Sequence, residues 1–206
     1  MLAQLLIGAS FAVAAYQDVK FRAVSDIVWI PALAGSGYVI YKLLAGPSFA
    51  DLELQLVKIA LIGGIALAFA LFGAVGEADS IALVFIAADP YRYSPILPLA
   101  MGAVLALAHI VYLIIGGNAW GLRTVPIEQF LKEQKWIPEA VISDGVRTEV
   151  SSDVNDARDE VEASKKPGAM VEVKYGVPTV AYLGLGYIAF LAYLVLLNQA
   201  AFLALP

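Results

Sequence analysis

No cysteine occurs among the 206 residues of this chain, and histidine occurs once, at His109. The first absence excludes disulfides, thiolate metal sites and thiol nucleophiles. Charge is scarce as well: Asp, Glu, Lys and Arg make up 15% of the residues, against about 25% in a soluble domain. Hydrophobic residues reach 61%, where a soluble domain carries about 45–50%. A water-soluble enzyme, a disordered or collagen-like chain and a nucleic-acid-binding protein are excluded on these grounds. The net charge of −5 also argues against polyanionic partners. What remains is a polytopic membrane protein.

Crossing a hydrocarbon core of about 30 Å takes about 20 apolar residues in a helix. Residues 1–17 carry no charge, and residues 27–41 with their flanks reach to about Ala45. Residues 59–76 are uncharged between Lys58 and Glu77, and residues 80–88 form a short apolar run between Asp79 and Asp89. Residues 93–122 and 175–206 are free of formal charge, His109 aside. The expectation is six membrane segments, the short fourth one spanning only if Asp79 lies at membrane depth. The initial segment lacks a basic n-region and an A-x-A site, so it reads as a retained first helix rather than a signal peptide. Ten of the thirteen basic residues fall in two loops, Lys20 and Arg22 in one and eight between residues 118 and 174 in the other. With six spans these loops share a face, which the positive-inside rule makes cytoplasmic. Both termini then lie outside, and residues 76–79 lie on the same face as Asp18.

Residues 118–175 have a different composition and read as a cytoplasmic insert between the fifth and sixth helices. The stretch PIEQFLKEQKW spaces Ile127, Phe130, Leu131 and Gln134 as an interfacial amphipathic helix closed by Pro138. VISDGVRTEV centres β-formers on Asp144-Gly145, a hairpin signal, and MVEVKY alternates as a third strand. Residues 151–166 show no clear apolar face and read as a solvated linker or frayed helix. The fold class expected is thus an all-α polytopic membrane protein with six transmembrane helices and a small β-containing insert. Its parts are residues 1–117 with five helices, the insert 118–175, and residues 176–206 with the last helix.

Charges in membrane segments cost about 2.5–3.5 kcal/mol each on insertion scales, so each invites a functional question. Asp89, beside Pro90 and Arg92, reads as a cap at the outer face; Asp26 reads as the N-cap of the second helix. Glu77 suits the water interface, and His109 a polar contact between helices. Asp18 and Asp79 differ in that both end apolar segments at one predicted depth. Two carboxylates brought close in a low-dielectric site share one proton. One can then activate water as general base while the other donates a proton to a scissile carbonyl. Gly76 and Ala78 leave little bulk beside Asp79, as an entering peptide backbone requires. Two acids at helix ends also serve simply as caps, and the residues alone leave both readings open.

At these residues the chain resembles the archaeal preflagellin and prepilin peptidases, members of the GxGD aspartyl proteases related to bacterial type IV prepilin peptidases. The first motif is Asp18-Val-Lys-Phe-Arg22-Ala-Val-Ser-Asp26 leading into the second helix, and the second is Gly76-Glu77-Ala78-Asp79. The two aspartates stand 61 residues apart (79 − 18), and the six-span layout and the insert also match. Ala78 replaces the second glycine of the strict motif, as the archaeal branch tolerates. The resemblance implies an endopeptidase with Asp18 and Asp79 as its catalytic dyad, supported by Gly76, Glu77 and Ala78, with no metal or cofactor. Its substrates would be archaellin or type IV pilin precursors, cut at the cytoplasmic membrane face to release a short basic leader. The bacterial relatives' methylation region bears zinc-binding cysteines; this chain has none and starts at its first helix, so peptidase activity alone is implied.

Glu77 and the acidic insert offer a basic leader long-range attraction, or merely a solvated surface. Gly63-Gly64, Gly73 and Gly76 offer room for helix movement, or ordinary helix packing. Two alternatives come from other classes: a small proton-coupled carrier, whose coupling acids should lie near the midplane, and a non-catalytic membrane scaffold.

Overall fold

The computed structural model describes residues 1–47, 49–72, 76–91, 95–115, 121–133, 136–151 and 154–203, the side chains of 198–203 excepted. Gly73, Arg92 and Gln134, named above, lie outside the described residues. The chain forms two compact units. The first comprises Met1–Tyr16, Val24–Leu107 and Thr179–Pro206, and the second Gln17–Ala23 and Ala108–Pro178.

Five helical stretches are long and apolar enough to cross a membrane. They are Leu2–Phe21 (α1), Asp26–Leu44, Phe49–Leu71 (α3), Ile96–Ile115 (α5) and the Thr179–Leu197 part of a last helix, Thr179–Leu203 (α8). The second of these begins as a 3-10 turn, Asp26–Trp29, and continues as α2, Ile30–Leu44. The expected fourth segment is the helix Glu77–Ala88 (α4), which has 12 residues. At about 1.5 Å per residue it is about 18 Å long, too short by itself for a core of about 30 Å.

In the first unit, four aromatic rings from separate elements form the centre. Phe11 of α1 meets Trp29 edge-on at 5.6 Å and Tyr187 of α8 at 5.1 Å, and Trp29 stacks on Phe85 of α4 at 5.6 Å. Such pairs contribute about 0.5–1.5 kcal/mol each beyond the area they bury. Ile7, Ala14, Val28, Ala32, Ala82, Ile86, Val180 and Phe190 complete this buried cluster. Pro31, in the first turn of α2, needs no donor partner, and the next amide, Ala32 N–H, donates to Ser10 Oγ of α1 at 2.9 Å. Asp26 proves to be the first residue of the 3-10 turn, with Ser25 at the N-cap position. The expected cap is thus displaced by one residue, and the exposed Asp26 side chain sits instead where the helix dipole favours an anion.

Glycines set how closely these helices approach, as is usual where no hydrophobic force drives helices together in lipid. A Cβ added at Gly186 of α8 would stand 2.5 Å from Gly102 N and from Pro98 O of α5. By contrast, Gly63 would only touch Val84 Cγ2 at 3.5 Å, and Gly64 would meet nothing within 4 Å.

The second unit holds a four-stranded antiparallel sheet of Arg123–Pro126 (β1), Trp136–Ser143 (β2), Val146–Glu149 (β3) and Met170–Tyr175 (β4), in the order β1-β4-β2-β3. The hairpin turns at Asp144-Gly145, both residues at positive φ (54° and 78°), as a two-residue turn that follows strand twist demands. Three of the sequence expectations change here. The amphipathic helix is shorter, Ile127–Lys132 (α6); Trp136 and Pro138 belong to β2 rather than to a helix end. Its apolar residues Ile127 and Phe130 are buried in the unit's own core, not laid on a lipid surface. Within residues 151–166 the chain forms a true helix, Val154–Ala163 (α7), which buries Ala157 and Val161 one turn apart. A two-residue apolar face suffices because Val171, Val173, Val141 and Trp136 meet Val161 in the same core. The strand β1 is the fourth, beyond the three expected.

Replacing Gly186 by Ala should lower the thermal transition of the purified protein, since overpacking of this kind costs about 1–3 kcal/mol. Gly64→Ala, facing open space within a helix, should leave the transition unchanged or raise it.

Candidate functional site

Asp18 lies near the end of α1 and is only 7% exposed. The helix is closed four residues later by Arg22, which takes the left-handed conformation (φ 56°) usually given to glycine and donates its N–H to Asp18 O at 3.1 Å. The guanidinium reaches the same carbonyl through Nη1 at 3.3 Å and stands over the Tyr175 ring at 5.8 Å. Arg22 therefore serves the backbone of Asp18. It acts as a cation at a helix C-terminus, where the dipole favours one. His109 packs in the same unit, against Tyr112 of its own helix at 6.3 Å and Tyr175 of β4 at 6.0 Å. The second of these is a ring contact with a strand.

Asp79 stands in the first turn of α4, after Gly76 at the N-cap. Its Oδ2 accepts the Gly76 N–H at 3.2 Å, the back-reaching half of a capping box. Ser80 Oγ donates to Ala66 O of α3 at 3.3 Å and ties the start of α4 to its neighbour. Glu77 and Gly76 are exposed, whereas Ala78 and Asp79 are half-buried. From this end a groove of about 560 Å³ runs between α3 and α4, lined by Gly63, Ala66, Leu67, Ile81, Val84 and Phe85 among others, with Glu77 and Ser80 at its polar end. Asp79 thus combines a cap role with a place next to Glu77 and Ser80, which line the groove, while it does not line the groove itself.

Asp18 belongs to the second unit and Asp79 to the first, so the expected dyad is not a feature of either unit by itself. Gly76, Glu77 and Ala78 are brought together with Asp79 by the start of α4. Among the described residues, no group of three or more His, Cys, Asp or Glu is placed to hold a metal ion.

The sequence reading takes Asp89 for a cap, which it is, but misses its full burial and its partners. Asp89, the C-cap residue of α4, has no exposed surface. Its Oδ1 accepts the Tyr91 N–H at 2.7 Å, as a cap should, but its Oδ2 accepts the hydroxyl of the fully buried Tyr187 at 2.6 Å. Lys58 of α3 donates to Asp89 O at 3.0 Å and to Tyr91 O at 3.2 Å, and Gln55 donates to Ala87 O at 3.2 Å. The only sequence signal for this cluster is that Gln55 and Lys58 stand one turn apart on an otherwise apolar stretch.

No protein-family model, curated protein or solved structure matches the chain.

Arg22→Ala removes a cap bond and the contact with Tyr175, and it should cost about 1 kcal/mol, from a lost hydrogen bond offset by less side-chain ordering. A fall of about 2–4 °C in the thermal transition is expected for a protein of this size. Arg22→Gly should recover part of the loss by relieving the left-handed backbone.

Proposed function

We propose that this protein is a membrane-embedded aspartyl endopeptidase that removes short basic leaders from archaellin or type IV pilin precursors. Asp18 and Asp79 are its dyad. The observation that carries the reading is that each aspartate stands at the end of an apolar helix, with Asp18 buried and Asp79 beside an open apolar groove. The motif Gly76-Glu77-Ala78-Asp79 forms the entry turn of α4, which gives a substrate backbone access past small side chains.

The proposed topology keeps six membrane segments, with α4 as a short fourth one, both termini outside and the insert in the cytoplasm. In that arrangement the scissile bond lies at the cytoplasmic face, with the precursor's apolar helix in the bilayer and its basic leader in water. One aspartate removes a proton from water, which attacks the scissile carbonyl; the other, protonated, donates to the carbonyl oxygen. Collapse of the tetrahedral intermediate breaks the C–N bond, and the amine leaves with a proton from the dyad. No covalent enzyme intermediate arises.

One observation speaks for a proton-coupled carrier instead. Asp89 is buried among helices together with Tyr187 and Lys58, as a coupling acid would be. Its carboxylate oxygens are engaged by Tyr91 and Tyr187 in packing the end of α4, which makes this the lesser reading.

Incubating the purified protein in membranes with a precursor tests the proposal. Asp18→Asn and Asp79→Asn should each reduce leader cleavage by at least about a hundredfold, in line with losing an acid–base group. Asn at position 79 can still accept the Gly76 N–H, so that variant should melt within about 1 kcal/mol of the parent, a cap-sized effect at most. Asp26→Asn should cleave normally. Unimpaired processing by either dyad variant rejects the assignment. Because the chain has no cysteine of its own, a cysteine placed at Asn155 reports topology cleanly and should label from the cytoplasmic side alone.

A further inference from the structure

Apart from the bond of Ser80 Oγ to Ala66 O at 3.3 Å, the face along which α3 and α4 meet is mainly apolar and does little to fix how far one helix stands along the other. On α3 it presents Gly63, Ala66 and Ala70, and opposite them lie Ile81, Val84 and Phe85 of α4, with the groove still open between. Ridges packed into grooves set register only where side chains interdigitate. Apolar contact of this kind changes little when a helix slides by a fraction of a turn.

The polar contacts at the far end of α4 are the opposite case. The last carbonyls of a helix have no partner within it, and lipid offers none. Here Gln55 takes Ala87 O, and Lys58 takes both Asp89 O and Tyr91 O. Tyr187 and the Tyr91 N–H occupy the two carboxylate oxygens of Asp89, and the Gln4 side chain of α1 also bonds Asp89. Three helices, α1, α3 and α8, thus converge on one helix end. For α3 and α8 the contacts do not lie where the helices stop, whereas Gln4 stands in the first turn of α1. Helix α3 begins at Phe49, two turns before Lys58, and α8 continues from Tyr187 to Leu203. Moving α4 along its axis by one residue, about 1.5 Å, strains the bonds from Gln55, Lys58, Tyr187 and Gln4 together, because hydrogen bonds weaken as they lengthen and bend.

We propose that Lys58, Asp89 and Tyr187 form a positioning device that fixes the axial register of α4 and thereby the place of Asp79 at its other end. The link to Asp79 as a catalytic group rests on the peptidase reading given above; the register itself does not. A 12-residue helix transmits the displacement of one end to the other because its own hydrogen bonds keep its length. The three residues touch no substrate in this account. They act through α4.

The chain's lack of cysteine allows a direct register readout. In the full-length protein in lipid nanodiscs, the pair Gly63→Cys and Val84→Cys uses positions where a Cβ at 63 stands 3.5 Å from Val84 Cγ2, close enough for a disulfide to be tested. With a mild oxidant the parent pair should close quickly. Lys58→Met and Asp89→Ala should each slow closure by about tenfold or more, since a shift of 1.5 Å spoils the narrow geometry that a disulfide needs. Lys58→Arg, which keeps a donor for both carbonyls, should restore the rate to within about threefold. Tyr187→Phe, lacking one hydroxyl and little else, guards against global unfolding and should slow closure measurably with the thermal transition retained. In cleavage assays the Met and Ala variants should lose kcat by about tenfold with KM within about twofold, the pattern of a misplaced catalytic group.

Parent-like closure in Lys58→Met, Asp89→Ala and Tyr187→Phe overturns the proposal, and so does slowed closure that Lys58→Arg fails to rescue. Slowed closure with Arg rescue in a protein whose parent cleaves no precursor supports the register device and rejects the peptidase reading instead.

Discussion

A helix that ends among apolar neighbours leaves carbonyl groups with no water to bind, and each unpaired group costs several kcal/mol in a bilayer. The arrangement of the first unit follows from meeting that demand at the end of α4. Four side chains from three other helices, Gln4, Gln55, Lys58 and Tyr187, are committed to Asp89 and the carbonyls around it. That commitment explains why α3 carries Gln55 and Lys58 one turn apart at the edge of its long apolar run. It also explains the burial of an aspartate with no exposed surface, which stands only because its oxygens are hydrogen-bonded and a cation is near. Elsewhere in the unit the helices need only pack. They do so through aromatic rings at the centre and through glycines such as Gly186 where backbones touch.

The two ends of α4 therefore have different characters. One is closed, buried and saturated with hydrogen bonds. The other opens at Gly76 with exposed backbone, a half-buried Asp79 and a groove beside it. A site that admits a peptide needs the second kind of end, and a helix that must hold a catalytic group in place needs the first. Asp18 meets the same requirement by other means. Its side chain is buried at the close of α1, and Arg22 closes that helix in a strained left-handed turn braced by Tyr175. In the proposed peptidase, Asp18 thus rides on a helix end whose backbone is held by Arg22, whereas Asp79 rides on a helix whose opposite end is held by Lys58.

Much of this architecture is legible in the residues, and the omissions have physical causes. Long uncharged runs betray the helices, because a bilayer excludes charge wherever it is not paired. Asp144-Gly145 betrays the hairpin, because few residue pairs tolerate positive φ in succession. Asp18 and Asp79 stand out for the same reason as any charge at the end of an apolar run. Asp89 stands out equally, but its adjacent proline makes it look like a mere cap; the tyrosine that binds it is 98 residues away in sequence, and no periodicity reveals such a partner. The helix α7 is hidden because only Ala157 and Val161 mark its inner face, and the strand β1 because four residues ending in proline carry almost no pattern. The placement of Ile127 and Phe130 was ambiguous in kind: an apolar helix face suits a lipid surface and a protein core alike, and only the sheet beside it decides.

The most direct measurement of the central claim is the dependence of kcat/KM for precursor cleavage on pH. Two carboxylates that share one proton are active in a single protonation state, so the account predicts a bell-shaped profile with a falling rate on both the acid and the alkaline side. A rate that stays level across that range, or that falls on one side only, contradicts an aspartate dyad at this site.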